Sequence, residues 1–252
     1  THSLTRIPVL SIRVSRARTT IMDSDYWTVE TIRTADNLGD ISLAARRRVP
    51  YGSPDSIYEI HIEGGIVITS IRKYPDYFKL GWVQQFELGE GSAVAIAFNG
   101  NWQLHRRKWR LATDEKPFIF WVDSQGILWS QLWDLSETKR QISSSVTKVK
   151  AIRGWKNVNF PDKDQGIIIS YIKTDGKVYY SSYCQTVDFT NVWEPERQLV
   201  EFTTTAVSLN MFITNDFRMG FTIEDSSGNI HWMVTERNWA GMAISTETIK
   251  PY

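Results

Sequence analysis

One cysteine, Cys184, is all that the 252-residue chain has, so no intramolecular disulfide can form and the cross-linked framework of small secreted domains is excluded. Folding in a reducing compartment such as the cytoplasm is therefore expected. No stretch reaches the roughly 20 consecutive apolar residues of a membrane span, and residues 1–15 carry Arg6, Pro8 and Arg13 where a secretory leader needs an unbroken apolar run. No membrane insertion is expected. Charge of one sign is also missing: 29 Lys and Arg against 28 Asp and Glu leave a net charge of +1, so the overall balance does not call for nucleic acid or an anionic membrane as partner. The four histidines show no short-range ligand spacing, and neither a metal site nor a cofactor is expected. Helical periodicity longer than a turn or two, low-complexity linkers and shifts of composition are absent as well. What remains is an all-β reading in one domain over residues 1–252.

The strands announce themselves through turns. Residues 120–129, FWVDSQGILW, join two apolar runs through a polar turn closed by Gly126, which reads as a β-hairpin. IKTDGKVYY at 172–180 and IEDSSGNIHW at 223–232 repeat the pattern around Gly176 and Gly228, and IRKYPDYF at 71–78 and TIMDSDYW at 20–27 extend it backwards. The strand after each turn starts at 26, 77, 127, 177 and 229, a period close to 50 residues. Short strands repeated at that interval are the mark of radially arranged sheets. The spacing predicts a five-bladed β-propeller of four-stranded antiparallel sheets, with blades over 7–50, 55–100, 102–155, 156–203 and 205–250. VLSIRVS, IYEIHIE, WQLHRRKWRL, KNVNF and AVSLNMFI open the blades, and DISLAARRRV, SAVAIAFNG and TKVKAIRGW close the first three. A tight Gly64–Gly65 turn joins the first two strands of blade two, and two modes of ring closure stay open, face packing of blade five on blade one and a swapped closing strand.

The hairpins DSQGILW, TDGKVYY and DSSGNIHW resemble the repeats of sialidase-like and lectin-like β-propellers, as in secreted lectins and phage tail proteins. The Asp-box of those repeats reads S-x-D-x-G-x-x-W; here the leading Ser is absent and the spacing from Asp to Gly varies. The resemblance implies a ring that hosts lectins, scaffolds, glycoside hydrolases and sialidases alike.

If first strands line the channel, alternation sets Arg13, His61, His105, Asn159 and Asn210 in a ring on the axis, with Glu59 and Gln103 in a second polar layer two residues earlier. Two readings stay open: a wet channel whose polar groups satisfy buried water, and an axial site for a small molecule or ion. Catalysis is not indicated. Hydrolysis needs paired carboxylates about 5–10 Å apart, and Glu59 and Glu63 stand four residues apart on one strand, roughly 13 Å between Cα atoms. The three arginines of a sialidase site are not there either, so no catalytic residue is assigned.

Aromatic residues offer the rival site: the chain has 11 Trp, 10 Tyr and 11 Phe, and aromatic rings stack on the apolar faces of sugars. The aligned positions Trp27, Phe78, Leu128, Val178 and Ile230 read as packing between blades. Trp129 and Tyr179, out of phase with that layer, and Trp102, Trp155, Trp193 and Trp239 near strand ends, read as exposed platforms. The basic clusters at 45–49 and 105–110 read as solvated edge protection. The expected function is a non-enzymatic binding module for carbohydrate or a cell-surface polysaccharide, a lectin or virion and tail adhesin that folds in the cytoplasm and works outside it, with other virion proteins as further partners. The alternatives are a glycoside hydrolase or sialidase-like enzyme with an axial pocket, and a structural propeller that docks a partner protein.

Overall fold

The computed structural model describes residues 11–14, 28–31, 38–46, 56–73, 84–98, 103–105, 108–110, 117–153, 163–186, 191–200, 202–213, 219–235 and 244–249. Every regular element among them is a strand. In chain order these are β1 (Ser11–Val14), β2 (Thr28–Thr31), β3 (Leu38–Arg46), β4 (Ser56–Glu63), β5 (Ile66–Lys73), β6 (Gln84–Ala97), β7 (Gln103–His105), β8 (Lys108–Arg110), β9 (Phe118–Asp123) and β10 (Leu128–Leu132). There follow β11 (Arg140–Ser143), β12 (Val146–Arg153), β13 (Lys163–Lys173), β14 (Val178–Thr186), β15 (Asn191–Trp193), β16 (Arg197–Gln198), β17 (Ala206–Ile213), β18 (Met219–Asp225), β19 (Ile230–Thr235) and β20 (Ile244–Ile249).

All pairing among the described strands is antiparallel, between neighbours in sequence except for β6 with β9 and β14 with β16, and β6 belongs to two sheets. Its residues 84–90 pair with β5 and its residues 91–97 with β9, so β3-β4-β5-β6 forms sheet one and β6-β9-β10-β11 sheet two. The handover falls at Gly91, where an added Cβ would meet the Val67 side chain and sit 2.7 Å from the Val122 carbonyl oxygen; only glycine fits so close an approach. Sheet three is β12-β13-β14 with β15 and β16 both on β14, and sheet four is β17-β18-β19-β20. β1 with β2, and β7 with β8, make two further pairs.

One hydrogen bond repeats from sheet to sheet and fixes their equivalence. The carbonyl of the turn glycine between second and third strands accepts from the residue that opens the next sheet: Gly65 O from Gly91 N at 3.0 Å, Gly126 O from Val146 N at 2.9 Å, and Gly176 O from Ala206 N at 2.8 Å. Strand alternation then gives each sheet two faces, and three apolar seams result. Ile60 and Ile62 of sheet one pack with Ile96 and Trp121 of sheet two. The other face of sheet two, with Phe120 and Leu128, packs with Val149, Ile169 and Tyr171 of sheet three. Ile168, Ile172 and Val178 on the far side of sheet three pack with Leu209, Phe221 and Ile223 of sheet four. Each such side chain contributes about 1.5–3 kcal/mol on burial.

The opening strands lie beside one another in succession, β3 against β6, β6 against β12, and β12 against β17. An inner strand edge has amides without a ladder partner, which must be satisfied otherwise. Val94 N donates to Asp40 Oδ2 and Ile96 N to Ser42 Oγ, both at 3.2 Å, and the Lys150 ammonium lies 3.7 Å from Asp40 Oδ1.

This grouping shifts the strand assignment read from the sequence. DISLAARRRV, SAVAIAFNG and TKVKAIRGW were expected to close sheets; as β3, the second half of β6, and β12, they open the next ones. IYEIHIE is the second strand β4, WQLHRRKWRL holds the separate β7–β8 pair, and KNVNF lies outside the described residues. The hairpin of sheet one is the Gly64–Gly65 turn, whereas most of IRKYPDYF falls outside the described residues. The reason is physical: a hairpin fixes its own two strands, but the run before or after it joins a sheet by long-range pairing that alternation does not encode. Leu128 and Val178 are packed between sheets as expected; Ile230 is instead 40% exposed.

Candidate functional site

Three of the turns build the same device. In each, the residue three before the glycine accepts from the glycine N–H and donates to the carbonyl four residues on, as Asp123, Lys173 and Asp225 do. The glycines have φ of 76°, 73° and 80°, conformations that side chains with a Cβ resist. A turn carboxylate then reaches the ring three residues after the glycine. Trp129 Nε1 donates to Asp123 Oδ2 at 2.7 Å, the Tyr179 hydroxyl to Asp175 Oδ2 at 3.1 Å, and His231 Nε2 lies 2.8 Å from Asp225 Oδ2. All three rings are half-buried on the third strand of their sheets. A lysine ammonium sits over two of them, Lys139 at 4.3 Å from the Trp129 centroid and Lys173 at 4.5 Å from that of Tyr179.

Two of these carboxylates, those of Asp123 and Asp225, are held ionised. Burial acts to raise the Asp123 carboxyl, but the Trp129 indole, the Ile127 and Gln125 amides and the Lys139 charge outweigh it and leave it below the ordinary range. Asp225 is pushed far down by His231 first, then by the Asn229 side chain and the amides of Asn229 and Ser227. A carboxylate that accepts several such bonds stays charged.

The richest of these places is the seam between sheets two and three. Glu196 Oε2 accepts from the Tyr171 hydroxyl at 2.7 Å and the Ser143 hydroxyl at 2.8 Å, while Lys173 donates to Oε1 at 2.6 Å. Glu196 thereby ties β11 of sheet two to β13 of sheet three. Burial acts to raise its carboxyl, and the bonds from Lys173, Tyr171 and Ser143 bring it below the ordinary range. Tyr171 is fully buried, and burial together with the Glu196 charge lifts its hydroxyl far above the usual phenol range. Tyr179 stacks beside it at 6.2 Å and 13°, half-buried, so an aromatic ring, an ammonium and two carboxylates meet at the mouth of the seam. Two local irregularities build this. Pro195 has no N–H and splits the outer strand into β15 and β16, and Glu196 lies in that break. The register shift that skips Ile142 between the Leu128–Ser143 and Trp129–Gln141 pairs re-aims β11.

Of the residues expected on the axis, the side chains of Glu59, His61 and Asn210 are described. Glu59 and His61 are fully buried on β4, a second strand flanked by β3 and β5, so the first-strand premise that placed them on the axis does not hold. His61 Nδ1 lies 2.7 Å from Glu59 Oε1 and its Nε2 3.4 Å from Glu63 Oε2. The two carboxylates that hydrolysis would set on either side of a sugar are here on either side of an imidazole. Asn210 is exposed on β17, an opening strand. Arg13 lies on β1, and Gln103 and His105 on β7; their side chains, like the whole of Asn159, are outside the described residues. Of the aromatic platforms, Trp129, Tyr179 and Trp193 are half-buried at seams, while Trp102, Trp155 and Trp239 lie outside the described residues. Sequence reasoning missed Glu196, Tyr171, Lys173 and Ser143. The signal for Glu196 was available in WEPE at 193–196, where a proline interrupts a strand between two acids. Among the described residues no group of three or more His, Cys, Asp or Glu is arranged to hold a metal ion.

No protein-family model matches the chain, and no curated protein matches it. Solved structures do. A point mutant of the Aleuria aurantia lectin in complex with Fucα1-6GlcNAc superposes with a TM-score of 0.59 and 12% identity, covering 95% of this chain and 75% of the lectin. The fucose-specific lectin from Aleuria aurantia in a mercury-derivative form gives 0.57 and 12%, over 93% of this chain and 73% of the other. That lectin is described as a six-bladed β-propeller. The fold is a β-propeller. At this identity the likeness concerns architecture, and it agrees with the succession of sheets, seams and turn-glycine bonds described above.

Proposed function

We propose that this propeller is a non-enzymatic carbohydrate-binding module that takes a glycan, such as a cell-surface polysaccharide, at the seam between sheets two and three. The observation that carries the reading is the Glu196 cluster. The Tyr179 ring edge, the Lys173 ammonium and the Glu196 and Asp175 carboxylates converge at the mouth of one seam, held by a fully buried Tyr171. A ring with an apolar face beside fixed donors and acceptors suits a pyranose, whose carbon face is apolar and whose edge is ringed by hydroxyls. The fold likeness to a fucose-specific lectin supports the ligand class. Five blades belong to the same proposal: the β1–β2 pair stands ahead of four stacked sheets in the chain, which supports one further unit.

A glycan array with fucosylated compounds included is the test. Wild-type protein should bind a defined subset, and Tyr179→Ala and Lys173→Ala should each weaken that binding at least about tenfold, a 1.4 kcal/mol effect. An array without a single bound glycan, or hits indifferent to both substitutions, would overturn the site.

A further inference from the structure

Tyr183 and Trp193 form a second aromatic cluster in the same seam, further along β14, and the charges of Arg140 and Glu137 act on the Tyr183 hydroxyl. Tyr179 and Tyr183 lie on one face of β14, four residues or roughly 13 Å apart. The Tyr183 ring packs against Trp193 with centroids 5.2 Å apart and against Phe118 at 5.2 Å, and Trp193 meets Phe120 edge-on at 5.9 Å. Tyr183 and Trp193 are both half-buried, so each keeps part of its ring in solvent. After burial, the largest influences on the Tyr183 hydroxyl are the charges of Glu137, which raises it, and Arg140, which lowers it; both side chains are exposed. Rings, a cation and a carboxylate thus recur together at the far end of the seam. The stretch between the clusters is bordered by the half-buried Ile142 of β11 and the exposed Pro195, both apolar.

On the glycan-binding reading just given, we infer that the seam holds an extended oligosaccharide lying along β14, with one subsite at Tyr179 and another at Tyr183 and Trp193. A single pyranose is no broader than an aromatic side chain and cannot touch both clusters. A linear chain can lay successive rings over Tyr179, the Ile142–Pro195 border and Trp193, and offer hydroxyls to Lys173 at one end and Arg140 at the other. The sequence of polar, apolar and polar surface matches such a ligand better than a terminal sugar, which would leave the second cluster unused.

The test uses the full chain on an array printed with the same linear glycans as mono-, di-, tri-, tetra- and hexasaccharides. For the glycans bound, affinity should rise at least about tenfold from mono- to tetrasaccharide and then level off. Trp193→Ala should erase that gain, and Arg140→Ala, at an exposed position, should lower tetrasaccharide binding at least about threefold. Monosaccharides bound as tightly as hexasaccharides, or tetrasaccharide binding unchanged in Arg140→Ala and Trp193→Ala, would overturn the extended ligand while leaving the glycan reading intact. Absence of binding at every length would instead sink the glycan reading and this one with it.

Discussion

Replacing Glu196 by alanine tests the seam between sheets two and three from within. The carboxylate accepts from Tyr171, Ser143 and Lys173, and Tyr171 has no exposure to water. Once the carboxylate is gone, the two hydroxyls can turn only to each other, and one of their two donors is left over in a dry place. A stranded buried donor costs about 1–3 kcal/mol. The Lys173–Glu196 pair adds little, about 0–1 kcal/mol, because Glu196 is 37% exposed and the pair is screened by solvent. The expected loss is therefore about 1–4 kcal/mol, a large share of the roughly 5–15 kcal/mol that holds a domain together. Urea unfolding followed by tryptophan fluorescence would read it as a lower midpoint at constant slope. Tyr171→Phe in the Glu196→Ala background removes the stranded donor, so the double variant should be more stable than the sum of the single effects by at least about 1 kcal/mol. A Glu196→Ala loss within about 0.5 kcal/mol, as for an ordinary surface position, or strict additivity in the cycle, would refute the strut.

Other positions give sharper tests of the fold. Gly91→Ala should destabilise by about 1–3 kcal/mol, because the new methyl meets the Val122 carbonyl where β6 changes sheets; thermal unfolding would show it, and an unchanged midpoint would contradict the handover. Trp129→Phe keeps the ring but removes the indole donor to Asp123, and should lower stability by about 1 kcal/mol in urea. Acid titration carries a fixed sign. Asp123, Glu196 and Asp225 have folded pKa values below their unfolded ones, so their contribution is complete above about pH 4 and is lost as pH falls through the lower folded values. Stability followed by circular dichroism should fall on acidification below about pH 4, and Asp225→Asn should flatten that fall.

The hairpins were legible because their chemistry is local. Asp and Gly at fixed offsets signal a turn, and β10, β14 and β19 begin at Leu128, Val178 and Ile230, each one residue from the start read off the repeat. The partners of those hairpins were not legible. SAVAIAFNG alternates equally well as the last strand of one sheet or the first of the next, and only the handover at Gly91 and the Gly65 carbonyl bond decide. The same shift applies to Glu59 and His61, which read as channel residues only while β4 counted as a first strand. Tyr179 and Trp193 stood out because aromatic residues do so in any strand, yet the polar surroundings of Tyr179 are set by Glu196. Its placement depends on a broken outer strand, which WEPE signals, and on a partner residue, Ser143, 53 positions away in sequence, which nothing signals.

The face of β4 that carries Glu59 and His61 differs from the three apolar seams. Both side chains are fully buried, and Ser70, opposite Glu59 on β5, is fully buried too. His61 and Glu59 lie 2.7 Å apart, whereas among the described residues the buried Ser70 hydroxyl has no hydrogen-bond partner. The apolar seams supply most of the burial free energy, and the polar face of sheet one supplies directionality instead.

A crystal structure of the protein with the tightest glycan from the array tests the central claim most directly. Sugar density is expected in the seam between β11 and β14, with one ring against Tyr179 and its hydroxyls within hydrogen-bond reach of Lys173 or Glu196. Density confined to the axis, or to a surface away from this seam, with Tyr179 and Trp193 untouched, would contradict it.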